Sequence, residues 1–208
     1  MVMPVSGIRA FLASQEALLV HFSTQMARNP TVCFPKDIAT AVVLAGAAIS
    51  FSTIQKGDTN PFMLGGRGGA EGCVGLIIDL LNHSTVLTVA PNDSGTYWDP
   101  ATKEWHSGGL PPDSQTIADS IALRTGSNEW FIRDYIPIGI FVLPPIYVRQ
   151  PMTALGVQTF GELEIQHTDV AVAFPEMRLF TANTTTFLEF DRLTSNWKAV
   201  AYADIIRP

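Results

Sequence analysis

Residues 74–97, VGLIIDLLNHSTVLTVAPNDSGTY, constrain the fold more than any other part of the chain. An apolar run at 74–81 is followed by Asn82, His83 and Ser84, and then by a β-branched run at 85–89. β-Branched side chains favour half-buried strands, whereas Asn, Asp, Ser, Pro and Gly favour turns. The pattern predicts a β-hairpin that turns at 82–84, followed by a second turn and a further strand.

Composition narrows the class of protein. Of the 208 residues, 47% are hydrophobic and 15% are charged, against about 25% charged in typical soluble domains. The hydrophobic content excludes a disordered chain, and the low charge predicts a surface that meets a partner, a membrane or a ligand. The net charge of −6 argues against binding to nucleic acid, which selects clustered lysine and arginine, and against simple electrostatic attraction to anionic lipid.

The chain divides into a predicted N-terminal segment, 1–60, and a predicted β-domain, 61–208. Apolar residues spaced three and four apart predict an amphipathic helix over 6–28. Residues 38–55 carry no charge, and we expect a helix over 37–48 that runs into a strand at 49–55. A membrane span is the alternative for this stretch, which is short for one. The first residues do not resemble a cleavable secretory signal, so we expect a soluble or non-classically secreted protein.

The later segments are read as strands because apolar and polar residues alternate and turn residues separate them. They lie at 115–124, 129–134, 138–143, 146–148, 162–174, 187–190 and 197–205. Together they predict a mainly β fold, an antiparallel β-sandwich preceded by one or two N-terminal helices. The predicted core consists of Ile77, Leu80, Val86, Val89, Ile121, Leu123, Ile140, Val142, Ile165, Val172, Phe187 and Phe190.

No motif for catalysis, metal binding or a cofactor is present. The four histidines do not have the spacing of a zinc site, and neither a G-x-S-x-G elbow nor a P-loop occurs. Cys33 and Cys73 fit one disulfide or two reduced, buried thiols. We therefore predict a non-enzymatic protein without metal or cofactor. The alternative is an enzyme whose acid, base and nucleophile converge from distant positions of the chain.

The loop at 97–112 combines aromatic residues with turn signals. Tyr97, Trp98 and Trp105 lie in it, and Trp130 follows later in the chain. Aromatic side chains can stack on sugars or lie at the headgroup level of a membrane. These four residues are the predicted ligand- or membrane-binding site, and the alternative is that they cover the end of the core.

An apolar, small-residue segment followed by a strand-rich domain with aromatic loops resembles the layout of small membrane-binding β-sandwich cytolysins of the actinoporin and aegerolysin type. The resemblance covers about residues 38–143. It implies that 38–55 is the mobile segment and that Tyr97, Trp98, Trp105 and Trp130 form the membrane interface.

Two functions follow as hypotheses. The first is a non-enzymatic protein that binds membrane lipid or a glycolipid glycan, in one form as a pore-forming toxin. The second is a structural subunit that buries the weakly charged stretch 135–161 in a homo-oligomer, since interface cores are depleted in charge.

Overall fold

The computed structural model describes residues 1–22, 48–57, 74–91, 97–99, 104–106, 108–122, 128–154 and 157–206, and gives the backbone alone for 97–99, 104–106, 147–154 and 157–163. The helices are α1 (Val5–Ser14), α2 (Ser114–Ala122), α3 (His167–Ala173) and α4 (Tyr202–Ile205). The strands are β1 (Leu18–Phe22), β2 (Ile49–Ile54), β3 (Val74–Ala90), β4 (Tyr97–Asp99), β5 (Glu104–His106), β6 (Glu129–Val142), β7 (Ile146–Ala154), β8 (Val157–Ile165), β9 (Leu179–Ala182), β10 (Phe187–Asp191) and β11 (Asn196–Val200).

The chain is mainly β, as predicted. Seven strands form one sheet in the order β11-β10-β9-β6-β2-β1-β3, and β3 also pairs with β6. Strands β3, β1, β2 and β6 are therefore hydrogen-bonded in a closed circuit, from which β9, β10 and β11 extend. Strands β6 and β9 are parallel, so the sheet is mixed, whereas the prediction was purely antiparallel.

The hairpin predicted at 74–89 is wrong, because β3 is one continuous strand of 17 residues. Its pairing with β6 jumps from Leu80↔Tyr135 to Thr85↔Arg133, so the polar residues at 82–84 form a bulge. Ser84 stabilises this bulge, since its hydroxyl accepts the N–H of Leu81 at 2.7 Å and donates to the carbonyl of Asp134.

The long N-terminal helix predicted at 6–28 is also wrong in its second half. Helix α1 ends at Ser14, Glu16 has a φ of 47°, and β1 follows. Leu18, Leu19 and Val20 are all buried, at 1%, 2% and 0% exposure. Consecutive buried side chains fit a strand covered on both faces better than one face of a helix. The predicted strand at 49–55 is confirmed as β2, whereas the helix predicted at 37–48 lies outside the described residues except for its last residue.

Two predicted strands are helices. In place of a strand at 115–124, α2 begins after Asp113, whose Oδ1 accepts the N–H groups of Gln115 and Thr116 at 3.1 Å and 2.9 Å. An aspartate in this position satisfies N–H groups at the start of a helix. The strand predicted at 162–174 ends at Ile165, and α3 follows with a capping box between Gln166 and Asp169.

The remaining strand predictions are confirmed with changed bounds. The strands predicted at 129–134 and 138–143 are one strand, β6, and the segment 146–148 is the start of β7. The strand predicted at 187–190 is β10. The strand predicted at 197–205 is β11 only as far as Val200, and the rest of that range forms α4 from Tyr202 onward. Strand β9 was not predicted, although its four residues are all buried.

Both faces of the sheet are buried. The larger apolar cluster contains residues of α1, α2 and α3 together with Leu76, Ile78 and Ile140. The second contains Ile77 and Phe141, their neighbours on the opposite face, together with residues of α4. Of the predicted core residues, Val172 is 79% exposed because it lies on the solvent side of α3, Leu123 lies outside the described residues, and the others are buried.

The predicted boundary at residue 60 divides strands that belong to one sheet. Strand β1 lies between β2 and β3, and β2 lies between β1 and β6. The described part of segment 1–60 is thus hydrogen-bonded to the described part of 61–208.

Candidate functional site

Strands β7 and β8 form an antiparallel ribbon of nine residues per strand. In the part of the chain that the structure describes, they pair only with each other and not with the seven-stranded sheet. At about 3.3 Å per residue, such a ribbon is roughly 30 Å long. We call this segment, Ile146–Ala154 with Val157–Ile165, the β7–β8 ribbon.

The register of the ribbon separates its residues into two different faces, because directly opposed residues of an antiparallel pair share a face. One face carries no charged residue, and we call it the uncharged face. Its cross-strand pairs are Ile146↔Ile165, Val148↔Leu163, Gln150↔Gly161, Met152↔Thr159 and Ala154↔Val157. The other face is polar, with the pairs Tyr147↔Glu164, Arg149↔Glu162, Pro151↔Phe160 and Thr153↔Gln158.

The base of the ribbon is anchored in the protein's own core. Ile146 and Ile165 are opposite each other and are 3% and 9% exposed. Both belong to the larger apolar cluster. The uncharged face therefore begins in the core and continues along the ribbon to its far end at Ala154 and Val157.

The low charge of the stretch 135–161 has a different structural cause in each of its two parts. Its first part, through Leu143, lies mainly in β6 at the centre of the sheet, and Tyr135, Ile140, Phe141, Val142 and Leu143 are each at most 2% exposed. Low charge there reflects burial within one chain. The rest of the stretch lies mainly in the ribbon. Burial within the seven-stranded sheet does not explain why one face of the ribbon lacks charge, because the ribbon pairs with no described strand of that sheet.

Strand β11 is the outermost strand of the seven-stranded sheet. It pairs with β10 over Asn196–Val200 and with no other described strand. Lys198 lies at its centre with a side chain that is 63% exposed and forms an ion pair with Asp191 of β10. The hydrogen bond from Lys198 lowers the pKa of the Asp191 carboxyl, so this carboxyl is ionised at neutral pH.

A groove of about 540 Å³ lies against β10 and β11. Its charged residues are Glu176, Arg178, Glu189, Asp191, Arg192 and Lys198. Arg178 donates to both carboxylate oxygens of Glu189, at 2.7 Å and 2.8 Å, and this bond raises the pKa of the guanidinium. Arg178 also donates to the carbonyl of Asp204 in α4 at 2.9 Å.

The second arginine of the groove has a structural role as well. Arg192 donates to the carbonyls of Phe174 and Met177, at 2.8 Å and 2.7 Å. These carbonyls follow α3, so the side chain fixes the end of that helix to the β10–β11 turn. The arginines of the groove thus stabilise the fold, and the groove brings no nucleophile together with a base.

The titratable side chains described elsewhere in the fold do not gather into a metal-binding group. Among the described residues, no three His, Cys, Asp or Glu side chains lie close enough to hold a metal ion. His21 Nδ1 is 2.8 Å from the carbonyl oxygen of Ser50, and His167 packs against Phe190 and Trp197 at ring distances of 4.8 Å and 5.3 Å. Asp79 pairs with Arg9 at 3.1 Å, and burial raises the pKa of this carboxyl.

The predicted aromatic site is divided by the structure. Trp130 is 0% exposed in β6, so it is a core residue, and its assignment to a membrane interface is wrong. Its position explains the correction, since it pairs with Phe51 of β2 on one side and Val89 of β3 on the other. The Trp130 side chain is enclosed in the larger apolar cluster, so in this fold it does not contact a lipid or glycan.

The other three predicted site residues lie in the β4–β5 hairpin. Trp98 is directly opposite Trp105, and Tyr97 is opposite His106. Opposed residues share a face, so the two tryptophans lie side by side on one face of the hairpin. Their part in binding stays a prediction.

The described residues contain no helix that is both long enough and apolar enough to cross a membrane. The uncharged stretch 38–55 ends in β2, which is part of the sheet, and its residues before Ala48 lie outside the described residues. No protein-family profile, curated protein or solved structure matches this chain.

Sequence reasoning missed the ribbon as a site. The sequence signal of the ribbon is the alternation of apolar and polar residues at 146–149 and 162–165. By itself this alternation predicts two separate strands and not a shared face. The uncharged face becomes visible only when the two strands are aligned in register.

Proposed function

We propose that this protein is a non-enzymatic structural subunit that assembles with copies of itself through the β7–β8 ribbon. The observation that carries the proposal is the uncharged face of the ribbon, which lies on two strands that pair with no described strand of the main sheet. Charged residues are depleted in the cores of protein–protein interfaces. A second copy of the chain presents the same face and can cover it by two-fold symmetry.

The composition of the two ribbon faces supports this assignment. Arg149, Glu162 and Glu164 all lie on the polar face, and none lies on the other. Separation of charge onto one side is typical of a strand pair that has one wet and one buried face. The base of the uncharged face is already buried in the core through Ile146 and Ile165. Burying the remaining part against another copy continues that apolar contact.

The proposal predicts that Met152→Lys weakens self-association strongly. Met152 lies on the uncharged face, and burying a lysine there leaves its charge without a partner. We expect the dissociation constant of the oligomer to rise by about thirtyfold or more, equivalent to about 2 kcal/mol. Sedimentation velocity over a range of protein concentrations measures the change.

Thr153→Lys is the matched control, because it adds the same charge at the next residue of β7 but on the polar face. We expect it to leave the oligomer unchanged. Equal weakening by both variants would contradict an interface on the uncharged face. A wild-type protein that stays monomeric at high concentration would contradict the proposed function itself.

A sandwich preceded by N-terminal helices, now with a mixed sheet, stays a proposal about the finer architecture. It is supported by the apolar clusters on both faces of the sheet, since a face that is buried needs a covering layer.

A second function, binding to a membrane or glycan, is favoured by the β4–β5 hairpin. The cross-strand pair Trp98↔Trp105 places two indole-bearing residues together, and tryptophan is enriched where binding energy concentrates. The resemblance to membrane-binding cytolysins now rests on this hairpin and on residues 38–47, because Trp130 is buried.

For this second function we expect Trp98→Ala to weaken binding to liposomes or to a glycan by about 2 kcal/mol. Unfolding stability should change little. Flotation with vesicles of several lipid compositions and a glycan panel measure binding, and thermal melts measure stability. If the variant instead loses about 3–5 kcal/mol of stability with no change in binding, the hairpin is a lid on the core.

A further inference from the structure

Apart from the edges of the three-residue strands β4 and β5, two sets of strand edges lack a partner in the described part of the chain. One is the outer edge of β11, at the end of the seven-stranded sheet. The others are the outer edges of the β7–β8 ribbon, whose strands pair only with each other. An unpaired edge presents a row of N–H and C=O groups that can pair with another chain.

The charges on these edges are opposite in sign. Lys198 is the central residue of β11, and its side chain is 63% exposed. Strand β8 carries Glu162 and Glu164, and the Glu164 residue is exposed. Within the ribbon, Glu162 lies opposite Arg149, whereas Glu164 lies opposite the uncharged Tyr147. Glu164 is thus the carboxylate of β8 that has no basic residue directly across the ribbon.

We propose that β8 of one copy adds to the outer edge of β11 in the next copy, so that Glu164 lies beside the neighbour's Lys198. This inference rests on the proposed function and adds a second contact to it, at the edge of the ribbon rather than on its uncharged face. Addition of an extended strand to a sheet edge is a recurrent mode of recognition, in which the main chain supplies affinity and the side chains supply specificity.

Charge complementarity favours this pairing over the pairing of either edge with its own copy. If β11 paired with β11 of a second copy, lysines of like charge would be brought together across the new ladder. If β8 paired with β8, four carboxylates would be brought together. Like charges on opposed strands are destabilising, and opposite charges are stabilising. Pairing β8 with β11 instead joins an acidic edge to a basic one.

The lengths of the strands are compatible. Strand β11 has five residues and β8 has nine, so β8 can cover the whole edge of β11. The contact joins different surfaces on the two copies and is therefore heterologous. It generates a ring or a continuing assembly, according to the rotation between neighbours.

The test is a charge exchange measured by sedimentation velocity at low salt. We expect Lys198→Glu and Glu164→Lys each to raise the dissociation constant by about tenfold, because an attraction becomes a repulsion. The double variant Lys198→Glu/Glu164→Lys restores the attraction with its sign reversed, and we expect it to return to within about threefold of the wild type. High salt should reduce all these differences.

Two matched controls separate this contact from a general effect of charge. Lys56 is also an exposed lysine in an ion pair, with Glu16, and Glu176 is also an exposed glutamate. We expect Lys56→Glu and Glu176→Lys to leave assembly unchanged. Because Lys198→Glu brings a second carboxylate near Asp191, Lys198→Gln serves as a neutral replacement, with a smaller effect in the same direction.

The outcomes distinguish this contact from the proposed function. If the wild type assembles but the two reversals act like their controls, or if the double variant fails to recover, the β8–β11 contact is overturned while the proposed function stands. If the wild type does not assemble and Met152→Lys has nothing to weaken, the proposed function fails and this inference fails with it.

Discussion

Replacing Trp130 with alanine is expected to lower the free energy of unfolding by about 3–5 kcal/mol, the usual cost of removing a large buried aromatic side chain. Trp130 is among the largest fully buried side chains, and it lies in β6 between β2 and β3. Its removal leaves a cavity where three strands meet, and the neighbouring strands can close that cavity only by moving the ladder. Urea denaturation measures the loss.

The matched variant is Trp130→Phe. The indole Nε1 is buried and has no hydrogen-bond partner among the described residues, so phenylalanine removes an unsatisfied donor together with part of the ring. We expect a loss of less than about 1.5 kcal/mol. If Trp130→Ala were as stable as the wild type but failed to bind liposomes, the assignment of Trp130 to the core would be wrong.

Asn128→Ala should have the next largest effect, a loss of about 2–4 kcal/mol in the free energy of unfolding. Asn128 is buried, with 4% of the residue exposed. It accepts the N–H of Thr53 at 2.8 Å and donates to the carbonyl of Ser120 at 2.7 Å. Alanine leaves the N–H of Thr53 and the carbonyl of Ser120 buried without the Asn128 side chain as a partner. Each group then lowers the free energy of unfolding by its full desolvation cost.

The control for Asn128 is Asn183→Ala. Asn183 also accepts two backbone N–H groups, those of Thr185 and Thr186, but it is exposed. Because water can replace its bonds, we expect a loss of about 1 kcal/mol or less. Equal losses at the two positions would show that burial of Asn128 does not determine its contribution.

Asn128 also links the two parts into which the sequence divides the chain. Thr53 belongs to β2 in the predicted N-terminal segment, and Ser120 belongs to α2 in the predicted β-domain. We therefore expect Asn128→Ala to lower the midpoint of one cooperative transition. Separate transitions for the two parts would indicate two independent folding units.

Much of the β architecture could be predicted from the sequence, because burial selects side chains locally. Apolar runs and alternation located β2, the two halves of β6 and β10. The same pattern identified Ile77, Leu80 and Val89 as core residues, which are at most 1% exposed. These predictions hold because burial favours apolar side chains whichever strand lies alongside.

Where one pattern fits two structures, the tertiary contacts decided. The apolar residues at 18–22 fit one face of a helix and also a strand, and pairing with β2 and β3 selects the strand. The polar residues at 82–84 fit a turn, yet β6 continues along both halves of β3 and makes them a bulge. Residues 115–122 fit a strand until Asp113 supplies a cap.

The candidate sites depend still more on contacts between distant residues. The sequence shows which residues of β7 and β8 alternate, but the register between the strands decides that every charge falls on one face. Likewise, the composition of β11 does not reveal that its outer edge is unpaired, because that depends on the order of strands in the sheet. The local choice of strand and core was thus determined by the chain itself through the burial of apolar side chains. Strand register, sheet order and the burial of Trp130 were decided only by the tertiary structure, since each depends on which distant segments lie alongside.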